Sequence, residues 1–148
     1  KNNTRNWEIT ESKQYLHSYV ESIEAYLQGR KYERDRKQEE LQKSFQQNLK
    51  QAAFATRQAI DLLNKQGYQP GNAFLKPKHF ADFNIFLTVS EDDFLDDGFP
   101  KIYDTIHQYE QQTSDQGVNI FFDFVDEGPS FSEEHLKSDG YVLKYAQA

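Results

Sequence analysis

The chain has 148 residues, the size of one domain and long enough to bury roughly two thirds of the surface its unfolded form exposes. It contains no cysteine, which excludes a disulfide framework and thiolate chemistry, and no apolar run approaches the ~18 residues of a membrane-crossing helix. Its net charge of −7 is unevenly spread: residues 1–80 carry 14 Lys and Arg against 9 Asp and Glu, whereas residues 81–148 carry 3 against 15.

The acidic half would repel nucleic acid and anionic membranes. The basic positions concentrate between Arg30 and Lys50, where "RKYERDRKQEELQK" interleaves both signs. That mixing belongs to a solvated helix face with pairs such as Glu33 with Lys37 and Glu39 with Lys43. Neither nucleic acid nor membrane insertion is expected. The chain opens on Lys1 and has no methionine, so a processed mature protein or a segment of a longer one is expected. No signal peptide is visible, and the cytoplasm is the favoured compartment, with a removed leader as the alternative.

Only 36% of the residues are apolar, but twelve Phe and nine Tyr bring aromatics to 15%. The core must therefore lean on rings, each burying ~150–250 Å². Residues 1–9 read as a loose arm that Trp7 and Ile9 can anchor. Thr10 or Ser12 can cap a helix over 11–28, whose apolar stripe runs through Tyr15, Leu16, Tyr19, Val20, Ile23, Tyr26 and Leu27. Gly29 supplies a left-handed stop. From Lys31 to Gln66 there is neither Pro nor Gly, so one long helix over 31–66 follows. Its stripe is Phe45, Leu49, Ala52, Ala53, Thr56, Ile60 and Leu63. The two helices would pair as an antiparallel hairpin.

"GYQPGN" at 67–72 reads as a turn cluster, and "FLKPKHFAD" as an irregular continuation limited by Pro77. "FNIFLTV" (83–89) then alternates Phe83, Ile85, Leu87 and Val89 on one face, and "VNIFFDFV" (118–125) alternates Val118, Ile120, Phe122 and Phe124. Both are strands by this period. Pro100 to Glu110 reads as a helix between them, so the strands should lie parallel. "YVLKY" (141–145) is a third strand, preceded by a short helix that starts at Ser132 and stops at Gly140. The expected fold class is α+β, a two-layer α/β arrangement. The helical hairpin of residues 1–66 packs on a small β-α-β-(α)-β sheet of about three strands in residues 67–148, as one folding unit.

"SEDDFLDDGFP" (90–100) places five acids in eleven positions. Ser90 with Asp93 three residues on fits a helix-capping arrangement, and Pro100 suits the first position of the next helix. Asp96 and Asp97 would lie beside that helix N-terminus, where the dipole favours negative charge. A calcium loop needs acids where Phe94 and Leu95 stand. The stretch reads as structural punctuation, with Asp82, Asp93, Asp96 and Asp123 as the candidate metal ligands of the rival reading. His17, His79, His107 and His135 share no metal-binding spacing. No nucleophile elbow, dinucleotide-binding or phosphate-loop motif occurs. No catalytic residue and no cofactor are expected.

The order "ADFNIFLTV", helix, "VNIFFDFVDE", then "FSEEHLKSDGYVLKY" resembles the layout of small nucleotidyltransferase domains over roughly residues 67–146. The resemblance implies an acid-x-acid pair on the first strand and a third acid on the next, holding magnesium for nucleotidyl transfer. Asp82 would be the first acid and Asp123 the third. The second position holds Asn84, and "GNAFLKPKHF" stands where a Gly-Ser motif would precede the strand. A relative of that kind would be degenerate, because one carboxylate holds magnesium poorly.

Three functions follow as expectations. The first is a non-enzymatic interaction or assembly module, self-associating or docking on a protein partner through Tyr15, Tyr19, Ile23 and Tyr26, because the helix 11–28 stripe exceeds what its hairpin partner can cover. The second is the degenerate nucleotidyltransferase-like or other magnesium- and nucleotide-binding domain. The third is a small-ligand sensor with a ring-lined pocket.

Overall fold

The computed structural model describes residues 7–9 and 34–146. The expected helix 11–28, with Tyr15, Tyr19, Ile23 and Tyr26, lies outside the described residues. A long helix, α1, spans Arg34–Lys65, 32 residues or ~48 Å at the α-helical rise. It stops at Gly67, whose φ of 89° is one that only glycine adopts without strain. The N–H of Tyr68 then closes back on the carbonyl of Leu63 at 2.9 Å, satisfying a carbonyl that the helix end would leave bare.

The remaining chain alternates strands and short helices around one mixed sheet. The strands are β1 (Trp7–Ile9), β2 (Pro70–His79), β3 (Asp82–Val89), β4 (Asn119–Asp126) and β5 (Leu143–Tyr145), with α2 (Glu91–Phe94), α3 (Pro100–Asp115) and α4 (Glu133–Ser138) between them. Their order across the sheet is β1-β5-β2-β3-β4. The pairings β1 with β5, β5 with β2 and β2 with β3 are antiparallel, and β3 with β4 is parallel. A mixed α+β fold is thus what the chain forms, and the helical crossover from β3 to β4 gives the parallel pair that the strand–helix–strand order implied.

Two expectations need correction. The sheet has five strands rather than about three, because the segment read as turn and irregular chain is β2, hydrogen-bonded on both sides. Its prolines sit where a strand tolerates them. Pro70 is its first residue, and Pro77 lies beyond Phe74 and Leu75, the residues that β5 reaches, next to a register shift between Pro77 and His79. There the missing N–H withholds nothing from a neighbour. The arm, in turn, is not loose throughout: residues 7–9 form β1, and Trp7 anchors it as expected. Trp7 is buried, and its indole N–H donates to the carbonyl of Leu49 at 3.0 Å while its ring meets Tyr145 edge-on.

One sheet face builds the main core. Ala73 and Leu75 of β2, Phe83, Ile85, Leu87 and Val89 of β3, and Ile120, Phe122 and Phe124 of β4 are buried there against α1 and α3. From α1 come Leu49, Ala52, Ala53, Ile60 and Leu63, and from α3 come Ile102 and Ile106. Each large aliphatic or ring so buried contributes ~1.5–3 kcal/mol of transfer free energy. Thr56 is also buried on the α1 face, completing the stripe that helical spacing marked. The opposite sheet face is only partly covered by the described residues. Phe74, Leu136 and Tyr141 form a small second cluster with Phe86 and Phe131 against α4, and Phe86 stacks on Tyr141 at 4.9 Å. Phe121, on that same face of β4, remains 54% exposed.

Candidate functional site

The acidic stretch at 90–100 acts locally. The Ser90 hydroxyl accepts the Asp93 N–H at 3.1 Å and opens α2, and Pro100 opens α3. The Asp93 carboxylate does not fold back on its own helix; it accepts the N–H of Gln69 at 2.9 Å. Asp96 accepts both the Tyr68 hydroxyl at 2.7 Å and the Gly98 N–H at 3.0 Å. These acids therefore fasten the segment leading into β2 to the loop that follows β3. Donating to a carboxylate pushes the Tyr68 phenol up to about 12, with desolvation and the charges of Asp96 and Asp93 adding to it. The same bond, with the Gly98 N–H, holds the Asp96 carboxyl below its ordinary value.

The other two candidate ligands are kept apart by register. Asp82 pairs with Asn119, whose side-chain amide donates to it at 2.8 Å, whereas Asp123 pairs with Phe86. Phe86 lies four positions after Asp82, ~13 Å along the strand. Asn84 sits between them opposite Phe121 and hydrogen-bonds Tyr141. Among the described residues no group of three or more His, Cys, Asp or Glu side chains is placed to hold a metal ion.

The arrangement with most chemical content is a groove along the outer side of β4. Because β4 ends the strand order, its far backbone edge has no strand neighbour among the described residues. Beside it α3 leaves an open groove of about 490 Å³ lined by Tyr103, Asp104, Ile106, His107, Glu110, Phe121 and Phe122. Helical spacing brings His107 and Glu110 together, with His107 Nδ1 at 3.0 Å from Glu110 Oε1. The His107 side chain is 72% exposed and that of Glu110 16%. The other oxygen of Glu110 accepts the backbone N–H of Phe122 at 2.7 Å. Two residues further on, the N–H of Phe124 is taken by Asp123 Oδ1 at 3.0 Å.

Rings complete the wall. Tyr103 stands edge-on to Phe99 and to Phe124, and burial followed by the charge of Asp123 pushes its phenol up. On the far side Lys78 lies 5.3 Å from the centre of the exposed Phe121 ring. The groove thus combines carboxylates, an exposed imidazole and aromatic faces beside an edge strand, a set that suits a cationic group. Sequence reasoning missed it. The i,i+3 spacing of His107 and Glu110 was visible, but nothing local told that β4 would be a sheet edge.

Comparison with protein-family models, with curated proteins and with solved structures gives no match for this chain.

Proposed function

We propose that the chain is a non-enzymatic interaction module that docks a basic segment of a protein partner in the groove between α3 and β4. The observation that carries this reading is the composition of that groove: Asp104 and Glu110 beside the rings of Tyr103, Phe121 and Phe122 along an open sheet edge. Carboxylates give a lysine or arginine a charge partner, and aromatic faces attract the same cation through their quadrupoles. The surrounding half of the chain carries 15 Asp and Glu against 3 Lys and Arg, which steers a basic partner toward it. The apolar stripe read from Tyr15 to Tyr26 is the second surface such a module would use for assembly.

Calorimetric titration of the full chain with oligolysine, oligoarginine and oligoglutamate tests the reading. Binding is expected for the cationic peptides alone, weaker in Asp104→Asn, and reduced by salt as the Debye length falls from ~10 Å at ~0.1 M to ~3 Å at ~1 M. Equal binding of oligoglutamate, or no binding of any of the three, overturns it. The magnesium- or nucleotide-binding alternative predicts a rise in melting temperature with Mg-ATP, and no rise retires it.

A further inference from the structure

We infer that the groove takes its partner as an added strand on β4, with Glu110 and Asp123 as detachable guards of that edge; this rests on the proposed docking of a basic segment there. The backbone directions along β4 follow from two bonds. Asn119 donates its N–H to Ala81 at 2.8 Å and Glu127 to Val89 at 2.9 Å, so the odd-numbered positions face β3. Strand alternation then turns the N–H and C=O groups of Ile120, Phe122 and Phe124 outward.

Two of those outward amides are held by carboxylates that come from opposite sides of the sheet. Glu110 reaches Phe122 from α3, on the core side, and Asp123 reaches Phe124 from the strand itself, on the other face. An unpaired edge is a template for another strand, and charges placed on it discourage indiscriminate pairing. Here the discouragement is selective. A neutral strand that paired with β4 would take the amides of Phe122 and Phe124 and give the two carboxylates no new partner in exchange, leaving Glu110 to His107 and Asp123 to water. A strand bearing lysine or arginine brings a cation for each carboxylate as its carbonyls take over the amides, so that every amide and every carboxylate keeps a partner. Main-chain bonds would supply the attachment, while Tyr103 and Phe121, exposed on either side of the edge, would receive alternate side chains.

The test is hydrogen exchange of the isotope-labelled full chain titrated with a short peptide of alternating lysine and valine. A second peptide of the same sequence carries N-methyl groups on alternate backbone nitrogens, which keeps its charge and removes its strand-pairing donors. The unmethylated peptide is expected to slow exchange at Phe122 and Phe124 and to bind about tenfold or more tightly than its methylated counterpart. Equal affinities without slowed exchange at those two amides overturn strand addition and leave charge-driven docking standing. Failure of both peptides to bind overturns the inference together with the reading beneath it.

Discussion

Trp7 and Leu49 lie 42 positions apart in the chain, and the indole N–H of the first donates to the carbonyl of the second at 3.0 Å in a buried setting. This contact joins the strand at one sheet edge to the middle of the long helix. Trp7→Phe keeps the ring and removes the donor, and the cost expected is ~0.5–1.5 kcal/mol. Trp7→Ala removes the ring as well and is expected to cost ~3–5 kcal/mol. Urea unfolding followed by circular dichroism measures both. Equal stabilities for the wild type and Trp7→Ala would mean that β1 does not dock.

The clamp between Tyr68 and Asp96 gives a pH dependence with a definite sign. The Asp96 carboxyl sits below its ordinary value of 3.8 in the folded chain, so its contribution is present above that value and is lost as the pH falls through the lowered one. Tyr68 sits at about 12 instead of 10.0. Between those two values the folded chain holds a proton that the unfolded chain has released, so its stability declines there as the pH rises. In Tyr68→Phe both slopes should flatten, which melting curves collected from acid to alkaline pH will reveal. Unchanged slopes would remove the clamp.

Close approach at Gly71 provides a third check. A side-chain carbon there would come within 3.0 Å of Thr88 and Glu127. The Thr88 hydroxyl is buried, accepts the Asn72 N–H at 2.7 Å and donates to Glu127. Gly71→Ala is therefore expected to destabilise by ~1–3 kcal/mol through overpacking. Thr88→Val should lose ~1–3 kcal/mol by leaving a backbone donor without its partner, whereas Thr88→Ser should retain most of the stability. If valine is tolerated as well as serine at that position, the hydroxyl is not what ties β2 to β3 there.

The guards on β4 lead to a prediction about self-association. Glu110→Ala frees the N–H of Phe122 and Asp123→Ala that of Phe124, so the double variant should show greater concentration-dependent association than the wild type by light scattering. Glu110→Gln keeps an oxygen acceptor for Phe122 and should resemble the wild type. An identical mass for the double variant and the wild type at every concentration would show that the edge is closed by something else.

What the sequence disclosed follows from the range of the signal. Period-two alternation in "FNIFLTV" and "VNIFFDFV" is local, and Phe83, Ile85, Ile120 and Phe122 are buried as it requires. The absence of proline and glycine was enough for α1. β2 was hidden because two prolines and Gly71 dilute its alternation, and only the sheet shows that Pro77 stands where β5 no longer pairs. β1 was hidden for another reason: the partner that makes it a strand is β5, at the opposite end of the chain. The groove depends on which strand ends the order and on the register of β4, and neither quantity is written in a window of neighbouring residues.

The place of β5 between β1 and β2 orders assembly in time. During synthesis the hairpin of β2 and β3, then α3 and β4, can form as each emerges, but the seat for Trp7 beside Tyr145 does not exist until the last strand has left the ribosome. Closure of that flank is thereby a late event, in keeping with the slowness of contacts between distant parts of a chain. A nascent chain whose residues 143–145 have not yet cleared the exit tunnel would hold Trp7 without the Tyr145 ring it packs on.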